Sequence, residues 1–320
     1  MERASPDPAV SVVVPLFNCL RLTQAMLESL DRTWPAGVTR EIILVDDGST
    51  DGTRDWLASL KRADVRVVLN EHNLGYAASN NRGAELARGR TLALLNNDLV
   101  LLPGWLESLL AVKAELGSAA GAIGNVQYAV RDGALDHAGI RINAKGKPEH
   151  LRELPSGADL PWSFQRWLRV DAVTGACLMI DRDFWLQLGG LDEAYVNGCE
   201  DVDLCLRAAA AGRINLVALR SRVRHHVSSS QGRKSRDETN TFRLTRRWRD
   251  QLVGLGIRRW CHDFLIREWS HAGCPAETAT AAAAVLLYLL HLRSTPPTVA
   301  VEGMRAAIDR EIARWEALAA

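Results

Sequence analysis

Apolar runs and helix-period segments alternate from the start of the chain, the pattern that builds a mostly parallel sheet covered by helices. Ser11 to Val14 is a β-branched run closed by Pro15, and Leu22, Met26, Leu30 and Trp34 then recur every four residues as the buried stripe of a helix. Glu41 to Val45 reads as a second strand, running into the turn-rich Asp46-Asp47-Gly48-Ser49-Thr50-Asp51-Gly52 and a helix carrying Trp56, Leu57 and Leu60. A third strand is predicted over Val65 to Leu69, a helix over Ala77 to Ala87, and a fourth strand over Thr91 to Leu95, which ends in Asn96-Asn97-Asp98. Pro103-Gly104-Trp105 opens another helix with Leu106, Leu109 and Leu110 inward. Residues 128 to 170 are rich in Gly, Pro and charge and read as long connections with short strands. Ala176 to Ile180 is apolar, Asp201 to Ala211 is helical with Gly212 as its stop, and Ile214 to Leu219 and Arg222 to Val227 are short strands. From about Asp237 to Ala320 the pattern is helical, so the chain divides into an α/β domain over 8–232 and a C-terminal helical extension over 237–320.

Composition narrows the class. The 320 residues are 47% hydrophobic and 24% charged, which excludes disorder and a disulfide-stapled miniprotein. A net charge of +1 argues against a dedicated nucleic-acid binder. The six cysteines form no CxxC and no regular spacing, so buried, reduced thiols are expected. The first residues lack the basic start and longer apolar stretch of a signal peptide. Thr278 to Leu292 falls short of the roughly 20 apolar residues that span a bilayer. Between 220 and 259, twelve Lys and Arg face only three acids. That run is either a solvated helical face or a surface for phosphate-bearing partners, and Trp248, Trp260 and Trp269 either pack its helices or sit at a membrane interface.

In open α/β sheets the ligand crevice lies at the C-terminal ends of the strands, where Asn18, Asp46, Asp47 and Asp98 fall. Adjacent carboxylates at Asp46 and Asp47 allow one to face the crevice while the other caps backbone amides. Asp98, preceded by two carboxamides, suits a hard divalent cation or an ordinary strand-end cap. Glu200, Asp201 and Asp203 open a helix whose dipole favours them, yet the same placement lets Asp201 point into a cleft. His225 and His226 sit on an alternating strand, so only one can enter a shared site.

The segments VSVVVPLFN, EIILVDDGSTDGT, NLGYAASNNRGAELARG, LLNNDLVLLPGWL, GACLMIDRDFWLQLGGLDEAY, EDVDLCLR and RHHVSSS together resemble family 2 inverting glycosyltransferases of the GT-A fold, in particular a bacterial rhamnosyltransferase-like branch, over roughly residues 8 to 232. The resemblance implies the GT-A nucleotide-diphospho-sugar transferase fold. It also implies transfer from a UDP- or dTDP-linked sugar to a hydroxyl of a glycan, lipid-linked or small-molecule acceptor. Pro15, Asn18, Asp46, Asp47, Asn73, Gly75, Asn80 and Asn97 match donor-binding positions. Asn96-Asn97-Asp98 stands for the metal-binding Asp-x-Asp, leaving Asp98 as its one acid, with His225 as the second ligand of Mg²⁺ or Mn²⁺; a nitrogen ligand tilts the choice toward Mn²⁺. Asp201 matches the catalytic base, with Glu200 beside it. The reading places the protein in the cytoplasm, with peripheral contact to the anionic inner membrane face through the Arg-rich 220–259 segment. Two rivals remain. A nicotinamide oxidoreductase needs Gly-x-Gly-x-x-Gly after the first strand, where this chain has Pro15-Leu16-Phe17-Asn18. A non-catalytic nucleotide-sugar-binding protein is the other.

Overall fold

The computed structural model describes residues 7–156, 164–226, 237–269 and 276–319. The chain forms two compact units, one built from residues up to 140 and 150–236, the other from 141–149 and 237–320.

In the first unit the alternation found in the sequence becomes β1 (Val10–Leu16), α1 (Leu20–Thr33), β2 (Arg40–Asp46), α2 (Thr53–Ser59), β3 (Val65–Leu69), α3 (Tyr76–Leu86) and β4 (Thr91–Leu95). A short β5 (Leu99–Leu101) and α4 (Trp105–Leu116) follow, then β6 (Ala120–Ala129), β7 (Leu135–His137) and β10 (Trp167–Arg169); between the last two the chain forms β8 (Ile140–Ile142) and β9 (Pro148–His150), most of whose residues belong to the second unit. The unit closes with β11 (Cys177–Asp181), α5 (Arg182–Leu188), α6 (Glu200–Ala210) and β12 (Ile214–His225). The main sheet runs β10-β12-β6-β11-β4-β1-β2-β3, with β5 on β12 and β7 on β6. Strands β3, β2, β1 and β4 are mutually parallel, as are β6 and β12, while β11 joins the two sets antiparallel to both neighbours. Because β1 pairs with β2 on one side and β4 on the other, the chain reverses its direction of travel across the sheet beside β1. That reversal opens a crevice at the strand C-termini.

Alternate residues of each strand serve different layers. Val10, Val12, Val14 and Leu16 of β1 and Ile42 and Leu44 of β2 join one core with Met26, Leu27 and Leu30 of α1 and Trp105, Leu106 and Leu109 of α4. On the other face α3 lies so close that a β-carbon at Gly83 would press into Val13 and stand 3.1 Å from Val45 Cγ2.

Three departures from the sequence reading stand out. β6, ten residues long and almost wholly buried, has no clear strand pattern in the sequence, because glycines and the polar Asn125 and Gln127 interrupt Ile123, Val126 and Tyr128. The two short strands expected over 214–227 are one strand, with a register irregularity between Ala218 and Arg222, and Val227 lies outside the described residues. Trp34 and Leu60 cap α1 and α2 rather than extending them. Gly212 ends the α6 segment with φ 81°, as its position predicted.

The second unit holds α7 (Asp237–Arg247), α8 (Arg249–Trp269), α9 (Ala276–Leu289) and α10 (Thr298–Ala319). Residues 141–149 belong to it: Lys147 pairs with Glu311 at 2.8 Å and stacks over Trp315. Trp248 and Trp260 are both 8% exposed, and Trp260 packs against Gly303, so these two pack helices. The side chain of Trp269, and Arg233, Lys234, Arg236 and Cys274, lie outside the described residues. Cys177, Cys205 and Cys261 are buried as expected, whereas Cys19 and Cys199 are half-buried. Burial pushes the Cys177 and Cys205 thiols up to about 12, which keeps them protonated and inert.

Candidate active site

At the end of β2 both carboxylates are engaged internally. Asp46 is fully buried and accepts from Arg54 Nε at 2.7 Å and from the Ser49 amide at 3.3 Å. Asp47 accepts from Asn70 Nδ2 and the Leu74 amide, each at 2.8 Å, through Oδ1, and from the Gly75 amide at 2.9 Å through Oδ2. The expectation that one acid caps amides fits Asp47, whereas Asp46 braces Arg54 and the turn through Oδ2 and keeps a buried Oδ1 without a hydrogen bond. Gly48 (φ 82°) leaves no room for a side chain, since a β-carbon would sit 2.9 Å from the Asn73 amide nitrogen. The 46–49 turn and the 70–75 loop therefore lie backbone to backbone. Asn70 is buried at the centre of this clamp. A lone Asn at a strand end carries little signal.

The end of β1 joins the same rim. Pro15 lies in β1 opposite Val45. Asn18, at φ 57°, accepts from the Thr50 amide at 2.8 Å and donates its own amide to Ser49 Oγ at 2.8 Å. Asn97 donates to Thr23 Oγ1 at 2.9 Å and to the Asn18 carbonyl at 3.4 Å. Gly75 caps α3 at φ 94°. Asn80 donates to the Tyr76 carbonyl at 2.9 Å, leaving its buried Oδ1 without a hydrogen bond. Asn73 presents an exposed side chain.

Asp98 follows β4 and His225 ends β12, where it pairs with Leu99 of β5. His225 Nε2 stands 3.2 Å from Asp98 Oδ1, and both groups are buried. Neither ring nitrogen of His225 makes a hydrogen bond. An orphaned imidazole against a carboxylate is an N,O donor pair that fits Mn²⁺ or Mg²⁺, ions that complete their shell with water and phosphate oxygens. Among the described residues no group of three or more His, Cys, Asp or Glu is arranged to hold a metal by itself. The His226 amide donates to the Asp98 carbonyl at 3.1 Å, and its side chain is half-buried.

A further imidazole joins this region without any signal in the sequence. His137 of β7 lies opposite Gln127 of β6, while His225 lies opposite Ala129, so the two histidines share a face of the sheet across one strand. His137 Nδ1 is 3.0 Å from His150 Nδ1. Burial first, then His150 and His225, holds its pKa well below the usual histidine value, so His137 is neutral. Only strand pairing reveals this grouping.

At the start of α6 the three acids separate by environment. Asp203 is fully buried and ion-paired with Arg207 at 2.8 Å, which makes it structural. Glu200 is buried and accepts from the Gly198 amide at 2.6 Å. Asp201 is half-buried; Oδ2 accepts from the Gly175 amide and Oδ1 from the Val202 amide, both at 2.8 Å. One residue beyond Gly175, the Ala176 carbonyl accepts from the Asn96 amide at 2.8 Å. The 174–176 segment thus links Asp201 to the loop that carries Asp98. No hydrogen bond or ion pair joins Asp201 directly to the Asp98–His225 pair among the contacts of the described residues.

Comparison with known proteins gives this geometry a context. A family model described as glycosyl transferase family 2 matches residues 11–175. The chain is 32% identical over 237 residues to the O-antigen biosynthesis protein RfbC of Myxococcus xanthus, an alignment covering 70% of this chain and 18% of that protein. It is 29% identical over 218 residues to the N-acetylglucosaminyl-diphospho-decaprenol L-rhamnosyltransferase of Mycobacterium tuberculosis, covering 60% and 68%. A further relative, from Sinorhizobium fredii, is 34% identical over 266 residues, covering 80% of this chain and 28% of that protein, so the chain spans less than a third of the length of this relative and of RfbC. The crystal structure of GalNAc-T7 with UDP, GalNAc and Mn²⁺ superposes with a TM-score of 0.62 at 20% identity, covering 81% of this chain and 52% of that one.

Proposed function

We propose, from the premise that this chain belongs to glycosyl transferase family 2, that it catalyses metal-dependent, inverting transfer of a sugar from a UDP- or dTDP-linked donor to a hydroxyl of a glycan, lipid-linked or small-molecule acceptor. The family match and the named relatives support a glycosyltransferase, and the structural neighbour shares its fold. The observation that carries the finer reading is the 3.2 Å approach of His225 Nε2 to Asp98 Oδ1, with the adjacent loop tied through residues 174–176 to Asp201.

Inversion is a single displacement. The acceptor oxygen bonds to the anomeric carbon as the bond to the diphosphate oxygen breaks, and the diphosphate leaves with the electron pair. Asp201 takes the acceptor hydroxyl's proton; its bonds from the Gly175 and Val202 amides fix the carboxylate while a lone pair remains for that proton. Asp47 seats the 70–75 loop, and with Pro15, Asn18, Asn73, Gly75, Asn80 and Asn97 it shapes the donor side. Asp46 braces the turn beneath them. Glu200, bound to the Gly198 amide, fixes the approach to α6 beside the base. Asp98 and His225 are the residues that would hold Mn²⁺ or Mg²⁺, which stabilises charge on a departing diphosphate as a Lewis acid.

A lipid-linked acceptor and peripheral contact with anionic membrane form part of the proposal. In the second unit, Thr239, Phe242, Arg243, Arg246 and Arg247 line a cavity of about 470 Å³ on one side of α7, a surface suited to phosphate groups. Among the described residues no helix is long and apolar enough to cross a membrane.

Replacement of Asp201 tests the core of the reading. Asp201→Asn should abolish release of UDP or dTDP from the corresponding nucleotide sugars while leaving nucleotide affinity, followed by thermal shift with Mn²⁺, nearly intact. Turnover should also stop in excess EDTA. An active Asn variant would remove Asp201 from the role of base, and full activity in chelator would remove the metal.

A further inference from the structure

The residue after the donor-side clamp is tied to the acid of α6 by two hydrogen bonds in series. The Tyr76 hydroxyl donates to the Gly175 carbonyl at 2.7 Å, and the Gly175 amide donates to Asp201 Oδ2 at 2.8 Å. Immediately before Tyr76, the Leu74 and Gly75 amides donate to the two oxygens of Asp47. The Tyr76 amide itself donates to Asn197 Oδ1 at 3.3 Å, in the loop that leads into α6. Side chains and amides thus run from Asp47 through the 74–76 segment and Gly175 to Asp201, across 99 residues of sequence between Tyr76 and Gly175.

We propose that Tyr76 is a positioning residue for Asp201: its hydroxyl fixes Gly175, whose amide aims the carboxylate, so that the seating of the donor loop by Asp47 sets the geometry of the base. The inference rests on the reading of Asp201 as that base.

Two amides hold Asp201. That of Val202 belongs to α6 and moves with it, so it cannot register the acid against the donor side. That of Gly175 comes from a different part of the chain and can. Glycine is the residue with the loosest backbone, and an unpinned Gly175 would let its N–H swing. The Tyr76 ring removes that freedom on contact as well as by hydrogen bond, since a β-carbon at residue 175 would sit 2.7 Å from Tyr76 Oη and 3.2 Å from Cζ. Glycine is required at 175 because the tyrosine occupies the place of a side chain. On the far side, the Asn96 amide holds the Ala176 carbonyl, so the segment is gripped from both the donor loop and the Asp98 loop.

Tyr76→Phe deletes one hydroxyl and keeps the ring. With UDP- and dTDP-sugars as donors and released nucleoside diphosphate as the signal, it should lower kcat about 10- to 100-fold, the cost of a reacting group displaced by ~1 Å. Affinity for UDP or dTDP with Mn²⁺ and the unfolding temperature should stay close to those of the parent. KM for the donor should stay close to the parental value, so that the loss falls on kcat alone. Gly175→Ala, which pushes the ring away, should give the same kcat loss with KM again unchanged. Parental kcat in Tyr76→Phe, beside an inactive Asp201→Asn, would overturn the positioning role and leave the base in place. A loss confined to KM and nucleotide affinity would likewise overturn it, leaving Tyr76 a donor-loop residue. Activity in Asp201→Asn would instead strike the reading beneath.

Discussion

Glu41 accepts from Ser11 Oγ at 2.5 Å and from the Arg88 amide at 2.6 Å, and pairs with Arg88 Nε at 3.2 Å, so one buried carboxylate holds β1, β2 and the end of α3 together. Burial by itself would raise its pKa; the Ser11 hydroxyl and the Arg88 amide and guanidinium outweigh it, and the net direction is down. A carboxyl lowered in the folded state contributes stability above its unfolded pKa and loses it as pH falls through the folded value. Thermal unfolding of the parent should therefore fall on acidification below the ordinary carboxylate range, and Glu41→Gln should flatten that limb while costing about 1.5–3 kcal/mol at neutral pH. An unchanged acid limb in the Gln variant would assign the effect to other groups. At the same scale the sequence places Asp46, Asp47, Asp98, Asp201 and His225 at strand and helix ends, and the family resemblance assigns their roles. The sequence could not apportion Asp46 to Arg54 and Asp47 to three donors, since that depends on Asn70 just past β3 and on the 74–75 amides of the loop before α3.

Among elements, α3 shows how tightly a helix must fit for its loop to be useful. Its N-terminus carries Tyr76 and Asn80, and Gly83 sets its distance from the sheet against Val13 and Val45. Gly83→Ala should lift the helix and cost about 1–3 kcal/mol by overpacking, a loss readable by chemical denaturation. Stability equal to the parent would mean that Val13 yields without backbone movement. The early strands and helices were legible because their apolar residues recur at periods of 2 and 3.6. β6 was not, because its glycines and the polar Asn125 and Gln127 are accommodated only between β11 and β12, where Gln127 bonds to Asn125 at 3.1 Å. His137 escaped notice for the same reason: its significance arises from sharing a face with His225.

For the whole molecule, a net charge of +1 conceals a strongly uneven distribution. Arg243, Arg246 and Arg247 are exposed along the α7 cavity. Sedimentation with phosphatidylglycerol vesicles should show binding that weakens as the Debye length contracts from ~10 Å at 0.1 M to ~3 Å at 1 M salt, and that drops when the three arginines are replaced by Glu. Binding indifferent to salt and to those replacements would exclude an electrostatic membrane contact. What the sequence determined by itself was the α/β class, the family and the short roster of groups able to do chemistry, because periodicity, turn residues and motif order are local properties of the chain. Tertiary structure alone decided which carboxylates are spent on holding loops, that His225 meets Asp98, and that Tyr76 reaches Gly175, because each depends on strand order and on contacts between segments tens of residues apart.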